Sequence, residues 1–266
     1  MFRVADALRR HAPASVEFVS PQDADLHVLH VIGADAIGYV EERPDMQYAV
    51  IQYCYQTAGA GSWNVLWDRA KTVMSYYPLL HDNVYLTPLG IDPMFRADYH
   101  REYRGVNVMT SGYVTGPGAE AIEEMYLAAS RLDKEVVHLG PMPVGFQQPP
   151  NGNWRLIHGI SDMMLANFYR HVQWVSGLRH VEGFELPVIE GLACGARPIV
   201  FDRTDMRMWY DEHAMFVPEC HGEELVERLI EVLSNDPVPV TDAERMKVLQ
   251  RFDWEPIVKG FWERVL

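Results

Sequence analysis

The chain has 266 residues, of which 48% are apolar and 23% charged, and its formal net charge is −14 at pH 7. That is enough apolar material for one large domain or two smaller ones, each with a core that needs no covalent staples. So acidic a chain gains nothing from counterion release on a phosphate backbone, which disfavours generic binding to nucleic acid or to anionic membrane surfaces.

The first ten residues read as a short amphipathic helix before Pro13. "VEFVS" and "DLHVLHVIG" follow as strands, and "YAVIQYCY" is a third, with continuous rather than alternating apolar residues. Such runs suit parallel strands covered on both faces. "TAGAGS" is a glycine-rich loop, and "SWNVLWDRAKTVMSYY" has the spacing of one long helix. "NVYLTPLGID" is a short strand that runs into a Pro/Gly turn. The best candidate for a basic patch, Arg96, Arg101 and Arg104, reads as a solvated linker face.

Beyond Phe95 the rhythm repeats. "GVNVMTSGYV", "KEVVHLGP", "WRLIHGI", "QWVSGL", "RPIVFD" and "AMFVPE" read as strands. Helices are expected after Pro117, after Ser161 as N-cap, from Pro187 to about Cys194 with Gly195 closing it, and over the three segments that end the chain. Strands alternating with helices of about 10–15 residues make βαβ units and a parallel sheet. The expected class is α/β with two lobes, and the turn and charge cluster near residues 88–104 is the boundary between them. Ligands of such folds bind at the carboxyl ends of the strands.

The three cysteines, Cys54, Cys194 and Cys220, are odd in number and widely spaced, so neither a disulfide framework nor a zinc site is expected. Cys54 and Cys194 sit in apolar runs and read as core residues. His30 reads as a satisfied core or loop-edge histidine. The N-terminal segment is too short and too charged for a secretory signal. No apolar run approaches the roughly 18 residues of a membrane span. Together these point to a cytoplasmic protein.

The most patterned stretch is "HVEGFELPVIEGLACGARPIV" at residues 180–200. Pro187 suits the first helical position, and Gly183 lets the backbone approach a ligand closely. The amides of Phe184, Glu185 and Leu186 would then form an anion site at a helix N-terminus. Glu190, one turn in, leans back toward that end and can accept bonds from vicinal hydroxyls; Glu182 stands on the other side of the turn. The alternative is an acidic first turn that complements the helix dipole, which accounts for Glu185 better than for Glu190.

These residues resemble the EGFGLPxxEAxAxGxPVI block of retaining glycosyltransferases with the GT-B fold, of the GT4 type. The likeness includes the spacing of Glu182 and Glu190. "LTPLGIDPMF", "NVMTSGYV", "HGISDMMLANFYRHVQWVSG" and "FDWEPIVKGFWERVL" resemble further segments of the same family in order. The likeness covers residues 84–266 and is weak over 25–83.

The resemblance implies two Rossmann-like lobes with a truncated N-terminal one: residues 1–93 on the acceptor side, 94–250 binding the donor, and 251–266 a helix crossing back to the first lobe. It implies a sugar transferred with retention from a nucleotide-diphosphate sugar, UDP- or GDP-linked, without a metal or other cofactor, to an unidentified acceptor. It puts Glu182 at the reacting sugar as the catalytic residue and Glu190 on the donor ribose. Gly112, Tyr113, Gly159, Ile160, Gly183, Phe184, Glu185 and Leu186 are the other donor-binding candidates. Gln56 and Thr57 stand where relatives carry a histidine-bearing loop on the acceptor side. Two other functions remain open: a phage-type enzyme acting on modified DNA bases, and a degenerate, non-catalytic GT-B module that binds a sugar nucleotide.

The chain departs from the family pattern at two further places. The Arg and Lys that usually follow the first donor-lobe strand are missing around Gly112, leaving Arg203, Arg207 or Arg155 as substitutes. Glu185 replaces the glycine of the turn, adding negative charge where a diphosphate is expected.

Overall fold

The computed structural model describes residues 2–53, 60–96, 106–112, 119–142, 145–146, 153–180 and 184–266. It divides into two compact units, residues 1–90 with 252–266, and residues 91–251.

Unit 1 opens with α1 (Phe2–Arg10), whose apolar residues Val4, Ala7 and Leu8 share one face and are buried. The expected strand at "VEFVS" does not form: residues 16–20 have no regular structure. Phe18 and Val19 are 47% and 48% exposed. A strand needs a partner edge, and instead Phe18 sets its ring edge against Trp262.

Four parallel strands follow, β1 (His27–Val31), β2 (Tyr48–Gln52), β3 (Val73–Ser75) and β4 (Val84–Leu86), paired in that order. Helix α2 (Asp35–Glu41) joins the first two and α3 (Ala60–Trp67) the next two. The sequence pattern did not reveal α2, which is short and carries Gly38 in its middle. Nor is there one helix over residues 62–77. The helix stops at Trp67, and Val73–Ser75 pairs with Val50–Gln52 on one side and Val84–Leu86 on the other. Apolar residues here satisfy both periods locally, and pairing with two neighbouring strands selects the extended form. Leu29, Val31, Tyr48, Val50 and Val73 pack with Val40, Trp63, Leu66 and Trp67 on one face of the sheet.

At the carboxyl ends of these strands His30 Nδ1 lies 2.7 Å from the Tyr53 hydroxyl, and the Tyr76 hydroxyl donates to the Tyr53 carbonyl. His30 is thus a partnered edge histidine.

Unit 2 begins with a 3₁₀ turn at Pro93–Phe95 and contains six parallel strands. In chain order its elements are β5 (Val106–Ser111), α4 (Ile122–Arg131), β6 (Val136–Leu139), β7 (Trp154–Ile157), α5 (Asp162–His171), β8 (Val172–Gly177), α6 (Leu186–Ala193), β9 (Arg197–Phe201), α7 (Thr204–Tyr210), β10 (Met215–Val217), α8 (Gly222–Leu233) and α9 (Asp242–Arg251). The sheet order is β10-β9-β8-β5-β6-β7. The chain therefore builds outward in one direction from β5 to β7 and in the other from β8 to β10, which makes β5/β8 the switch point.

Adjacent residues of a strand face opposite ways. Trp174 of β8 packs with α4 and α8, whereas Val175 packs against Gly191 of α6. Ser161 caps α5 by accepting from the Met164 amide at 3.3 Å, as its position predicted. Helix α7 was not legible in the sequence. Cys194 is buried; Cys54 lies outside the described residues.

The chain then returns to unit 1 with α10 (Trp254–Val265). Gly90 admits the Trp254 ring, since a Cβ there would lie 2.4 Å from it. Tyr85 donates to the Ile257 carbonyl, Lys71 to Val265, and the Trp262 indole to Leu8. Among the described residues no helix is long and apolar enough to cross a membrane.

Candidate functional site

Of the predicted residues that the structure describes, Gly112, Phe184, Glu185, Leu186 and Glu190 lie beyond the carboxyl ends of β5 and β8. Helix α6 lies close behind this edge because two glycines allow the approach. A Cβ on Gly177 would stand 2.4 Å from Val188, and one on Gly191 2.7 Å from Val175. Every residue from Pro187 to Ala193 is buried. Pro187 stands in the first turn, where its missing N–H costs nothing. Gly195 takes the left-handed conformation, φ 89°, that closes the helix. Arg245 of α9 holds the Ala193 carbonyl at 2.6 Å, which satisfies one of the acceptors a helix end leaves over.

Glu190 is 2% exposed. A carboxylate in such a place needs hydrogen bonds. One comes from the Tyr169 hydroxyl on α5, 3.4 Å from Oε2. Glu190 thus accepts from a hydroxyl of the protein itself.

Glu185 behaves differently from expectation. Its carboxylate does not face out of the turn but lies 2.5 Å from Nη1 of Arg179, with the two side chains 1% and 8% exposed. Nε of Arg179 is 3.0 Å from Glu120, just ahead of α4. Its Nη2 donates to both the carbonyl and the hydroxyl of Ser111, at the end of β5. Residues 120 and 179 also form an isolated antiparallel bridge. One guanidinium thereby ties the loop after β5 to the loop after β8, and the charge of Glu185 is met within the fold.

The amide of Glu185 is likewise engaged, donating to the Tyr210 hydroxyl at 2.6 Å. It is therefore not one of the open donors foreseen for an anion. The amides of Val188 and Ile189 turn to the Glu185 carbonyl. Pro187 has no N–H, so between Glu185 and Ile189 the amide left to face an anion is that of Leu186. Phe184 is buried, its ring against Trp209 and Tyr210.

Gly112 follows β5 directly. A Cβ there would lie 2.4 Å from the Pro141 carbonyl oxygen and 3.1 Å from His138, so two loops touch backbone to backbone. His138 fixes this corner. Its Nδ1 lies 2.8 Å from the Thr110 hydroxyl, its Nε2 lies 3.2 Å from the Pro141 carbonyl, and its ring stacks on Trp154. Burial lowers the imidazole's pKa below its ordinary value, with the bond to Pro141 opposing. Gly159 and Ile160 join β7 to α5. Gly159 is exposed with φ 63°, and a Cβ there would meet only open space. Its glycine is thus required by conformation, not by crowding.

Glu182, Gly183, Tyr113, Gln56 and Thr57 lie outside the described residues. The three candidate substitute bases are all engaged elsewhere. Arg155 pairs with Glu135, and Arg207 with Asp202 and Asp211 at the surface. Arg203 holds Asp205 through two bonds. The cation at the end of β5 is Arg179, which the sequence reading passed over. The available signal was Glu185: a carboxylate in a buried turn implies a cation nearby. Glu120 and Tyr210 left no such trace.

No family model matches the sequence, and no curated protein sequence matches it. Its structure, however, is similar to many solved ones. Sucrose-phosphate synthase from Thermosynechococcus elongatus is 14% identical, with a TM-score of 0.68 over 98% of this chain and 76% of the other. HepE from Anabaena, solved with UDP, is 12% identical, with a TM-score of 0.68 over 98% and 80%. TarM from S. aureus, in a complex that includes UDP, is 11% identical, with a TM-score of 0.67 over 90% and only 55%. At these identities the likeness concerns the fold: two Rossmann-like α/β units of the GT-B kind, spanning part of each longer relative.

Proposed function

We propose that this chain, whose fold is GT-B, is a glycosyltransferase that moves a sugar from a nucleotide-diphosphate donor to a hydroxyl-bearing acceptor, with retention of configuration. The observation that carries this reading is the buried helix α6 at the β5/β8 switch point. It carries Glu190 behind the turn Phe184–Leu186, and the sequence of this stretch resembles the donor-binding block of the GT4 type.

A carboxylate has about four lone-pair sites. Tyr169 takes one on Glu190, and the vicinal hydroxyls of a ribose would donate to the same carboxylate. Glu182 would stand at the transferred sugar, while Leu186 and the dipole of α6 face the diphosphate. The Gly159–Ile160 turn would lie beside the base, and Gln56 and Thr57 on the acceptor side. Uracil is the first base to try, as a UDP-sugar, because HepE and TarM were solved with UDP.

The test is a thermal-shift panel of UDP-, GDP-, ADP- and TDP-sugars. A ligand at 100 times its dissociation constant adds about 2.7 kcal/mol. The responding donor is then followed for turnover in wild type, Glu182→Ala and Glu190→Ala, and the product's anomeric configuration is read by NMR. A flat panel, or turnover indifferent to both substitutions, refutes the proposal.

A further inference from the structure

The first residues of unit 2, 91–96, are fastened to α5, α6 and α9. Arg170, near the end of α5, donates to the Met94 carbonyl at 3.2 Å. The Cys194 thiol, at the end of α6, lies 3.8 Å from the Phe95 carbonyl. Arg245 of α9 donates from Nη2 to the Arg96 carbonyl at 2.7 Å and from Nε to the Ala193 carbonyl, so one guanidinium joins this segment to the end of α6. Within the segment Arg96 reaches back to the Ile91 carbonyl at 3.1 Å.

What the segment carries inward is the Phe95 ring. It is buried and meets the ring of Tyr169 on α5 edge to face, with centroids 5.9 Å apart and planes at 63°. The Tyr169 ring also packs against α6, where a Cβ on Gly191 would lie 3.4 Å from its Cδ1. A tyrosine hydroxyl is aimed by the side-chain torsions of its ring, and a close-packed interior leaves those torsions little freedom. The direction of the Tyr169 hydroxyl is therefore set by its neighbours, Phe95 among them. That hydroxyl donates to Oε2 of Glu190. All three side chains are buried, so packing orients the carboxylate.

We propose that Phe95 and Tyr169 are positioning residues of the donor site: residues 91–96 hold the Tyr169 ring, and its hydroxyl aims the Glu190 carboxylate at the ribose. The proposal deepens the function given above and rests on the role given there to Glu190. Neither residue is assigned contact with the donor. Phe95 acts through Tyr169, and Tyr169 through Glu190.

The experiment measures dissociation constants of UDP and 2′-deoxy-UDP by calorimetry, or of the same pair with whichever base the donor panel selects. The proteins are wild type, Tyr169→Phe, Phe95→Leu and the double variant. The ratio of the two constants isolates the ribose hydroxyl, because a general loss of packing weakens both ligands alike. One hydrogen bond to a charged group should make wild type favour UDP about tenfold. Tyr169→Phe is expected to lower that preference about threefold and Phe95→Leu about twofold. Adding Phe95→Leu to Tyr169→Phe should lower it no further, since the hydroxyl through which Phe95 acts is already gone. An unchanged preference in either single variant overturns the role of that residue. Effects that multiply in the double variant overturn the route from Phe95 through Tyr169. A wild type that binds both members of the pair equally overturns the ribose contact of Glu190, and this role with it. Failure to bind any nucleotide of the panel overturns the donor reading itself. If Phe95→Leu does not fold, Phe95→Met takes its place in the same comparison.

Discussion

Arg179 and Glu185 form a buried ion pair with Nη1 2.5 Å from the carboxylate, at the point where the loops after β5 and β8 meet. Two charges removed from water recover their desolvation cost only when paired and hydrogen-bonded. Here Glu120 and Ser111 complete the set around the guanidinium. This pair answers what a carboxylate is doing in the turn: it faces inward as the partner of an arginine.

Removing that arginine should therefore be severe. Arg179→Met leaves two buried carboxylates without it and is expected to cost about 3–5 kcal/mol. Glu185→Gln, which keeps the shape of the side chain, should cost less. Urea denaturation followed by circular dichroism gives both values, and equal midpoints for wild type and Arg179→Met would show that the pair does not hold the edge together.

The glycines make a contrasting pair. In Gly112→Ala the new methyl meets a backbone oxygen that cannot swing aside, 2.4 Å away. The expected loss is about 1–3 kcal/mol from overpacking. In Gly159→Ala nothing is hit, and the loss is the roughly 1–2 kcal/mol of a left-handed alanine. Tm values of the two variants should fall in that order.

Acid should weaken unit 2 through His138. Its folded pKa is lowered chiefly by burial, so on falling pH the unfolded chain takes up the proton first. The unfolded state then binds more protons, and stability rises with pH through this window. The contribution is complete above the ordinary histidine value of about 6.5 and declines as pH drops below it. His30 in unit 1, also lowered by burial, acts with the same sign. Urea midpoints at pH 7.5 and 5.5 should differ more in wild type than in His138→Asn; an equal difference would count against this account.

Glu190→Gln keeps the size of the side chain but removes the charge that hydroxyl donors prefer. A hydrogen bond to a charged group is worth about 1.5–3 kcal/mol, so donor kcat/KM is expected to fall between about 10- and 150-fold. Tyr169→Phe, which removes only one of the protein's own donors, should lower it far less. Equal losses would mean that Glu190 serves α5 and not a ligand.

Much of the architecture was written in local pattern. Continuous apolar runs marked β1 and β2, the alternation with helices marked the strands of unit 2, and Ser161, Pro187 and Gly195 marked helix ends, because capping and backbone preference act within a few residues. What failed was of another kind. "VEFVS" and Val73–Ser75 both have strand-like composition, yet one is coil and the other a central strand. Pairing depends on whether a neighbour's edge is open, and nothing within the segment records that. Helix α7 escaped for the same reason: its seven residues gain their order from Phe184, Glu185 and the carbonyls of 179 and 180, not from their own periodicity.

The same division runs through the candidate site. Proline, glycine and apolar spacing are local signals, and they already mark a short buried helix behind a turn flanked by two glutamates. Where the carboxylates of Glu185 and Glu190 point was set by packing across the fold. Glu190 meets a hydroxyl 21 residues earlier in the chain, and the Glu185 amide meets one 25 residues later. A buried charge is oriented by whichever partner the fold brings within about 3 Å, and that distance is a property of the packed sheet.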